Sequence, residues 1–342
     1  MSNKKVSVVS LFSGGGGLDL GFLKAGYNII WANDSNKDAV ECYRSNIGNH
    51  IVCKDIYSVN LSDIPKADVI IGGPPCQSFS LAGKRNSDDL RGQLVWKYLD
   101  ILKSHMPKAF LFENVVGLLS AKNKNGEKIL PSLISQFESL GYSVSCATLN
   151  AADYGVPQQR KRVIIVGIRG NKPFTFPQPT HNENGSNGLS KYVSAVEAIG
   201  DLPLFDETPG FDHSMPQMSE LDKFIVCHVK PGGNYMDIPD EVPSERIKRL
   251  KKEGGHTTCY GRLTPDKPAY TINTYFNRPN VGCNIHYKFD RLMTIREAMR
   301  FQTFPDSYKL TCKSKSGKHL VVGNAVPPLL ASILATHLLK FI

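Results

Sequence analysis

The chain has 342 residues, 41% of them apolar, and 41 Lys+Arg against 31 Asp+Glu give it a formal net charge of +10. That is enough to bury a sizeable core in a large domain with a smaller companion, and the basic excess favours a polyanionic partner. No repeat or low-complexity block interrupts it, and the eight cysteines contain no C-x-x-C pair, which argues against a zinc site or a redox motif.

In chain order, β-branched runs at 6–12, 28–33, 50–54, 67–73, 108–114, 142–149 and 162–168 read as strands. Helical stretches at 18–25, 36–46, 90–104 and 127–140 alternate with them. This alternation predicts an α/β fold with a doubly wound, mostly parallel sheet. Near residue 171 the texture turns rich in Pro, Asn, Gly and Ser, and 176–286 is irregular. Within it "SERIKRLKKEGG" predicts a short capped helix, more readily a solvated charged face than a binding surface. Helical texture returns at "TIREAMRFQ" and from Val326 onward. The N-terminal "MSNKKVSVVS" is too short and polar for a signal peptide, and the apolar C-terminal run is broken by His337 and Lys340. The expectation is a cytoplasmic protein with no membrane span, reduced thiols and a buried terminal helix.

Two regions carry chemistry. "LFSGGGGLDLGF" lies between a strand and a helix, where glycines admit a ligand to the backbone and helix N–H groups face negative charge. The dinucleotide pattern G-x-G-x-x-G fails, since its third glycine falls on Asp19, and the phosphate-cradling G-x-x-x-x-G-K-[ST] is absent. Asp34 and Asp55 close the second and third strands, placed to accept from ribose hydroxyls and an adenine amine. A nucleoside without pyrophosphate, such as S-adenosyl-L-methionine, suits these parts.

The second region is "GGPPCQSFS". Pro74 and Pro75 cannot continue a ladder, so Cys76 should leave the sheet on a stiff turn at a strand's C-terminal end. Glu113, in the apolar "LFENV", ends another strand on the same edge, where a half-buried carboxyl can donate or share a proton near neutral pH. Arg160 and Arg162, two apart in "QQRKRV", could aim both guanidinia at one region, or serve as surface ion-pair partners.

In order, "FSGGGGLDLGF", Asp34, "DI" at 55–56, "GGPPCQSFS", "ENV", "QQRKR", "RLTPDKPAYTI", "RLMTIREAMRFQTFPD" and "GNAVPP" resemble the DNA (cytosine-5)-methyltransferases of bacterial restriction–modification systems. The resemblance covers the chain apart from about 90 residues before 262. It implies the S-adenosyl-L-methionine-dependent methyltransferase fold, with a catalytic and cofactor-binding domain at 1–175, a target-recognition domain at 176–286, a hinge and return at 287–318, and a C-terminal helix at 319–342 that completes the catalytic domain. It implies Cys76 as the nucleophile that adds to cytosine C6, Glu113 on N3 and the exocyclic amine, Arg162 on O2 and Arg160 behind the loop and thiolate. Phe12 would face the adenine or sulfur. Ser13, Gly14, Gly16, Gly17 and Leu18 would surround the methionine part, Asp34 the ribose, and Asp55 with Ile56 the adenine. Gly73, Pro75, Leu94, Asn324 and Val326 match further cofactor contacts, and no metal is implied. Gln77, Ser80, Thr271, Ile272, Asn277 and Arg278 fall at DNA-contacting positions, with 80–92 as a loop that closes over a flipped-out base. Two departures stand out: Thr303 where the family has glycine, and Ser35 where an aromatic often stacks on adenine.

The expected partner is duplex DNA, met by a monomer that protects host DNA from a cognate endonuclease without binding that enzyme stably. A tRNA cytosine methyltransferase of the same fold and a non-catalytic DNA-binding regulator are the alternatives. A nicotinamide dehydrogenase is disfavoured by the failed glycine pattern.

Overall fold

The computed structural model describes residues 5–75, 94–123 and 125–342. Contacts divide the chain into two compact units, the first made of 1–150, 161–178 and 326–342, the second of 151–160 and 179–325. The boundary after Gln178 lies close to the expected one near 175, whereas the return to the first unit comes at Val326.

In the first unit the predicted alternation is present: β1 (Ser7–Leu11), α1 (Gly17–Lys24), β2 (Asn28–Asp34), α2 (Lys37–Asn46), β3 (Ile51–Cys53), β4 (Val69–Gly72), α3 (Leu94–His105), β5 (Ala109–Val115), α4 (Ile129–Ser139), β6 (Tyr142–Asn150) and β7 (Lys161–Arg169). The sheet order is β3-β2-β1-β4-β5-β7-β6. Ladders from β3 through β5 are parallel, and β7 runs antiparallel to both neighbours. Because the sheet is covered on both faces, its central strands are mostly apolar; β4 is buried at every residue, and so is β5 except Val115. Val9, Leu11, Ile70, Phe110 and Phe112 join Tyr98, Leu102, Leu133 and Phe137 of the helices in one core.

Strand order reverses between β1 and β4, and open α/β sheets hold ligands beyond the carboxyl ends of the strands at such a point. β1 leads into the glycine turn and β4 into Gly73-Pro74-Pro75. The two candidate regions therefore flank the switch point.

The last helix, α10 (Pro328–Leu338), closes the first unit against α1. Gly21 makes the contact close, since a Cβ there would lie 2.3 Å from that of Ala331, and the Tyr27 hydroxyl donates to the Ala335 carbonyl at 3.0 Å. Among the described residues one stretch, 315–338, has the length and composition of a membrane span; it is 67% buried and broken at 325–327.

The second unit holds β8 (His181–Asn182), β9 (Ser190–Lys191), α5 (Ala195–Ile199), α6 (Glu220–His228), α7 (Glu245–Glu253), α8 (Ile295–Phe301) and α9 (Lys315–Asn324). A separate core gathers Ile225, Val226, Tyr235, Ile238, Val242, Ile247, Tyr260, Ile285 and Leu292. Polar clamps replace long strands there. Buried Arg262 donates to the carbonyls of Val226, Val229, His286 and Phe289, and Arg291 makes a bidentate pair with Glu297, at 2.9 and 2.6 Å.

Candidate active site

At the end of β1 the backbone turns sharply. Phe12 is half-buried with φ 55, and the Gly14 N–H donates to Asp34 Oδ2 at 2.8 Å. Gly16, at φ 83, begins α1 in a left-handed conformation that a side chain would strain, and no side chain caps that helix end. Gly17 and Leu18 open the first turn, so their N–H groups have the geometry that accepts a carboxylate. Asp34 Oδ1 accepts from the Asn36 N–H at 2.8 Å. Burial raises the Asp34 pKa, opposed by the backbone donors of Asn36, Gly14 and Ser35. Asp34 thus braces the glycine turn as well as offering lone pairs outward. Ser35 beside it is exposed. Asp55 is exposed and receives the Tyr57 N–H at 3.0 Å, while Ile56 is buried.

A buried chain lies under the turn, and nothing in the sequence motif marks it. Ser13 Oγ donates to Ser10 Oγ at 2.9 Å, Ser10 Oγ donates to Asp19 Oδ2, and the Tyr43 hydroxyl donates to Asp19 Oδ1, each at 2.9 Å. The Tyr43 oxygen is also 3.0 Å from His50 Nε2. Asp19 is fully buried, and desolvation lifts its pKa to about 6 against the lowering effect of Ser10 and Tyr43.

At the neighbouring strand ends the register of β5 against β7 sets Val115 opposite Arg162 and Glu113 opposite Ile164. Because β7 runs antiparallel, its first residues lie at the carboxyl edge of β5, so Arg162 Nε comes 2.9 Å from Glu113 Oε1. Both side chains are 11% exposed. Glu113 is therefore more deeply buried than the half-buried carboxyl its strand suggested, and it has a guanidinium partner; burial pulls the Arg162 pKa down while Glu113 holds it up. Gly73 makes room for the carboxylate: a Cβ there would sit 2.7 Å from Glu113 Oε2. The Asn114 amide donates to the Pro74 carbonyl at 3.1 Å and pins the diproline turn. Asn114 was not expected to matter, although a second polar residue in so apolar a strand was a readable sign. Pro75 is exposed and Leu94, at the start of α3, is half-buried against the main core. Cys76, Gln77, Ser80 and the expected closing loop 80–92 lie outside the described residues, apart from the helix that begins at Leu94.

Arg160 and Arg162 have different attachments. Arg160 is 1% exposed within the second unit, where Nη1 donates to the Ile272 carbonyl at 2.9 Å and Nη2 to the Gly323 carbonyl at 3.0 Å. Its guanidinium ties the segment after Thr271 to the end of α9, where Asn324 is exposed. Val326, on the return to the first unit, is 7% exposed. Ile272 is 1% exposed, and its N–H donates to Gln158 Oε1, so this residue supports its loop from inside. Thr271 is exposed, and its hydroxyl donates to the Gln159 carbonyl at 2.7 Å.

The loop that follows is braced. Asn273 Oδ1 accepts from the Tyr275 N–H, and its amide donates to the Val281 carbonyl. The Asn284 amide donates to the carbonyls of Arg278 and Val281. Phe276 is buried against the His319 ring at 4.5 Å. Tyr275, Asn277 and Arg278 are exposed at the tip, and the Arg278 guanidinium stacks over the Tyr275 ring at 5.2 Å. Tyr275 went unremarked in the sequence, because stacking across three residues depends on the turn. Thr303 has φ 62, the left-handed region where glycine is at ease, at a cost on the order of 1 kcal/mol for a β-branched residue.

The sheet order, the switch-point turn and the antiparallel seventh strand define an S-adenosyl-L-methionine-dependent methyltransferase fold. The family model of the C-5 cytosine-specific DNA methylases matches residues 6–340, and the chain belongs to that family of DNA (cytosine-5-)-methyltransferases. The type II methyltransferase M.NgoFVII of Neisseria gonorrhoeae is 39% identical over 96% of this chain and 84% of its own length. M.FnuDI of Fusobacterium nucleatum is 38% identical over 97% of this chain and 94% of its own. Among solved structures, a proposed DNA modification methyltransferase encoded within an E. coli prophage has a TM-score of 0.67 at 24% identity, covering 98% of this chain and 99% of that one. The S. pombe Dnmt2 methyltransferase has a TM-score of 0.62 at 19% identity, covering 98% and 99%. At those identities the two structures speak to the fold alone.

Proposed function

We propose that the protein transfers a methyl group to C5 of a cytosine flipped out of duplex DNA, through a covalent bond between Cys76 and C6, and thereby protects host DNA at the site of a cognate endonuclease. It acts as a cytoplasmic monomer. The observation that carries this reading is the buried Glu113–Arg162 pair against Gly73, three residues before Cys76.

The residues around the glycine turn suit S-adenosyl-L-methionine by their chemistry: uncapped N–H groups of Gly17 and Leu18 for its carboxylate, Asp34 for a ribose diol, Asp55 with Ile56 for the adenine. Ser13, Gly14, Gly16 and Phe12 shape the same turn, and Gly73, Pro75, Leu94, Asn324 and Val326 complete the set. When bound, this cofactor supplies an electrophilic methyl group.

A cytosine C5 is a poor nucleophile until the ring is converted to an enamine. The Cys76 thiol, with an ordinary pKa of about 8.5, reacts as the thiolate and adds to C6. Glu113 holds N3 and the exocyclic amine as negative charge moves into the ring, and Arg162 holds both Glu113 and the O2 oxygen. C5 then takes the methyl and gives its proton to a solvent water, and the electron pair left behind restores C5=C6 as the S–C6 bond breaks to release the thiolate. Gln77 and Ser80 contact the DNA beside the extruded base. Thr271 and Ile272 fix the reading loop, with Asn277 and Arg278 at its tip, where arginine suits guanine and asparagine suits adenine.

Duplex DNA carrying 5-fluorocytosine tests the reading, because fluorine at C5 cannot leave as a proton and traps the adduct. Wild type should form a denaturation-resistant complex and Cys76→Ser should not. No wild-type adduct on any duplex would sink the proposal, and an adduct on tRNA alone would move the substrate to RNA.

A further inference from the structure

We propose that α7 is a phosphate grip that holds the DNA backbone next to the reading loop. This rests on the function proposed above and departs from the sequence reading, in which this helix is more readily a solvated charged face.

The segment ERIKRLKKE carries five basic and two acidic residues. Its apolar side is spent inside the unit, with Ile247 at 1% exposure and Leu250 packed on the same core. Its cations fall into two sets. Lys248 is paired with Glu245 at 2.9 Å, and Lys251 with Asp240 at 2.6 Å. Arg246, Arg249 and Lys252 are exposed, and among the described residues none has a carboxylate partner. They recur every third residue, about 4.5 Å apart along the axis and turned about 60° at each step. The row therefore covers about a third of the helix circumference, a sector that Glu245 and Glu253 share.

The row also has an address. Arg246 Nη2 donates to the Asn280 carbonyl at 3.4 Å, and the adjoining Pro279 carbonyl accepts the Tyr260 N–H at 2.8 Å. Asn280 lies two residues beyond Arg278, in the loop braced by Asn273 and Asn284. Arg246 thus fixes the first turn of α7 to the loop that presents Arg278 and Tyr275. Three cations that have no carboxylate partner among the described residues, set beside a reading tip, fit a duplex, because phosphates border every groove and each neutralised phosphate releases a counterion.

Binding of the full chain to two labelled duplexes, one holding the methylated site and one lacking it, is to be measured against salt concentration. Arg249→Ala/Lys252→Ala should weaken both duplexes by the same factor and make the slope of log K against log salt shallower by about 1.8, at roughly 0.9 per phosphate. The pattern of methylated sites should not change. Slopes equal to wild type would overturn the proposal and leave a solvated face. Loss confined to the cognate duplex would overturn it in favour of base reading. An equal loss of slope in Lys191→Ala/Lys223→Ala, which removes charge elsewhere on the same unit, would also overturn it. If the wild type methylates no duplex at all, the function itself fails; if it methylates and only the slope prediction fails, the grip alone is wrong.

Discussion

Glu113 and Asp19 show what two buried carboxylates can do in one unit. Glu113 has a guanidinium 2.9 Å away, whereas Asp19 is held by the Ser10 and Tyr43 hydroxyls and its own backbone N–H and is lifted to about 6 by desolvation. The folded state therefore binds the Asp19 proton more tightly than the unfolded chain, whose aspartates titrate near 3.8. Stability from this group is greatest below that lower value and is lost as pH rises through about 6, a cost of roughly 3 kcal/mol once the carboxylate is charged. Asp19→Asn removes the titration. Urea unfolding of both proteins between pH 4.5 and 8 should show the variant gaining on wild type across that window. A difference that stays flat with pH would mean Asp19 keeps an ordinary pKa. Glu113 was legible and Asp19 was not: Glu113 stands out in an apolar strand, while Asp19 looks like a common first-turn acid of a helix.

At the scale of elements, the strands of the first unit were legible as apolar, β-branched runs and the helices as the stretches between them. Several are closed by glycine or proline, as at Gly26, Gly48, Pro107, Gly141 and Gly170. β7 is instructive. Its apolar run gave its position, but its antiparallel direction depends on pairing between β5 and β6, and that direction is what sets Arg162 beside Glu113. Spacing suggested that Arg160 and Arg162 act as a pair; Arg160 instead clamps two buried carbonyls, at Ile272 and Gly323. Removing the fork leaves both acceptors without these donors, at about 1–3 kcal/mol each. Arg160→Ala should lower stability by a few kcal/mol and expose the Ile272 amide to hydrogen exchange. Arg160→Lys should recover only part, since one ammonium cannot reproduce a planar two-carbonyl grip. If Arg160 instead acts on the Cys76 thiolate, Arg160→Lys would shift the pH dependence of adduct formation and leave amide exchange unchanged.

For the whole molecule, the second unit was the least legible part, since its core is drawn from scattered positions such as Val226, Tyr235, Ile238 and Ile247 with no sustained period. The terminal helix was legible as buried, but only the structure shows what it covers. α10 meets α1 closely where Gly21 faces Ala331, and its Leu330, Leu334 and Leu338 are all fully buried. Burying a leucine stabilises by about 1.5–3 kcal/mol, so three of them amount to much of the roughly 5–15 kcal/mol that holds a typical domain. A chain ending at Ala325 should therefore lose hydrogen-exchange protection in β1, β2 and α1 and lose binding of S-adenosyl-L-homocysteine, the demethylated cofactor product, whose binding is readable without turnover. Protection within α6 to α8 should survive, because their core includes nothing beyond Ala325. Adding the peptide 326–342 in trans should restore cofactor binding in proportion to its concentration. A truncated chain that retains full protection in β1 would mean that α10 only decorates the first unit and that the glycine turn is held by the sheet alone.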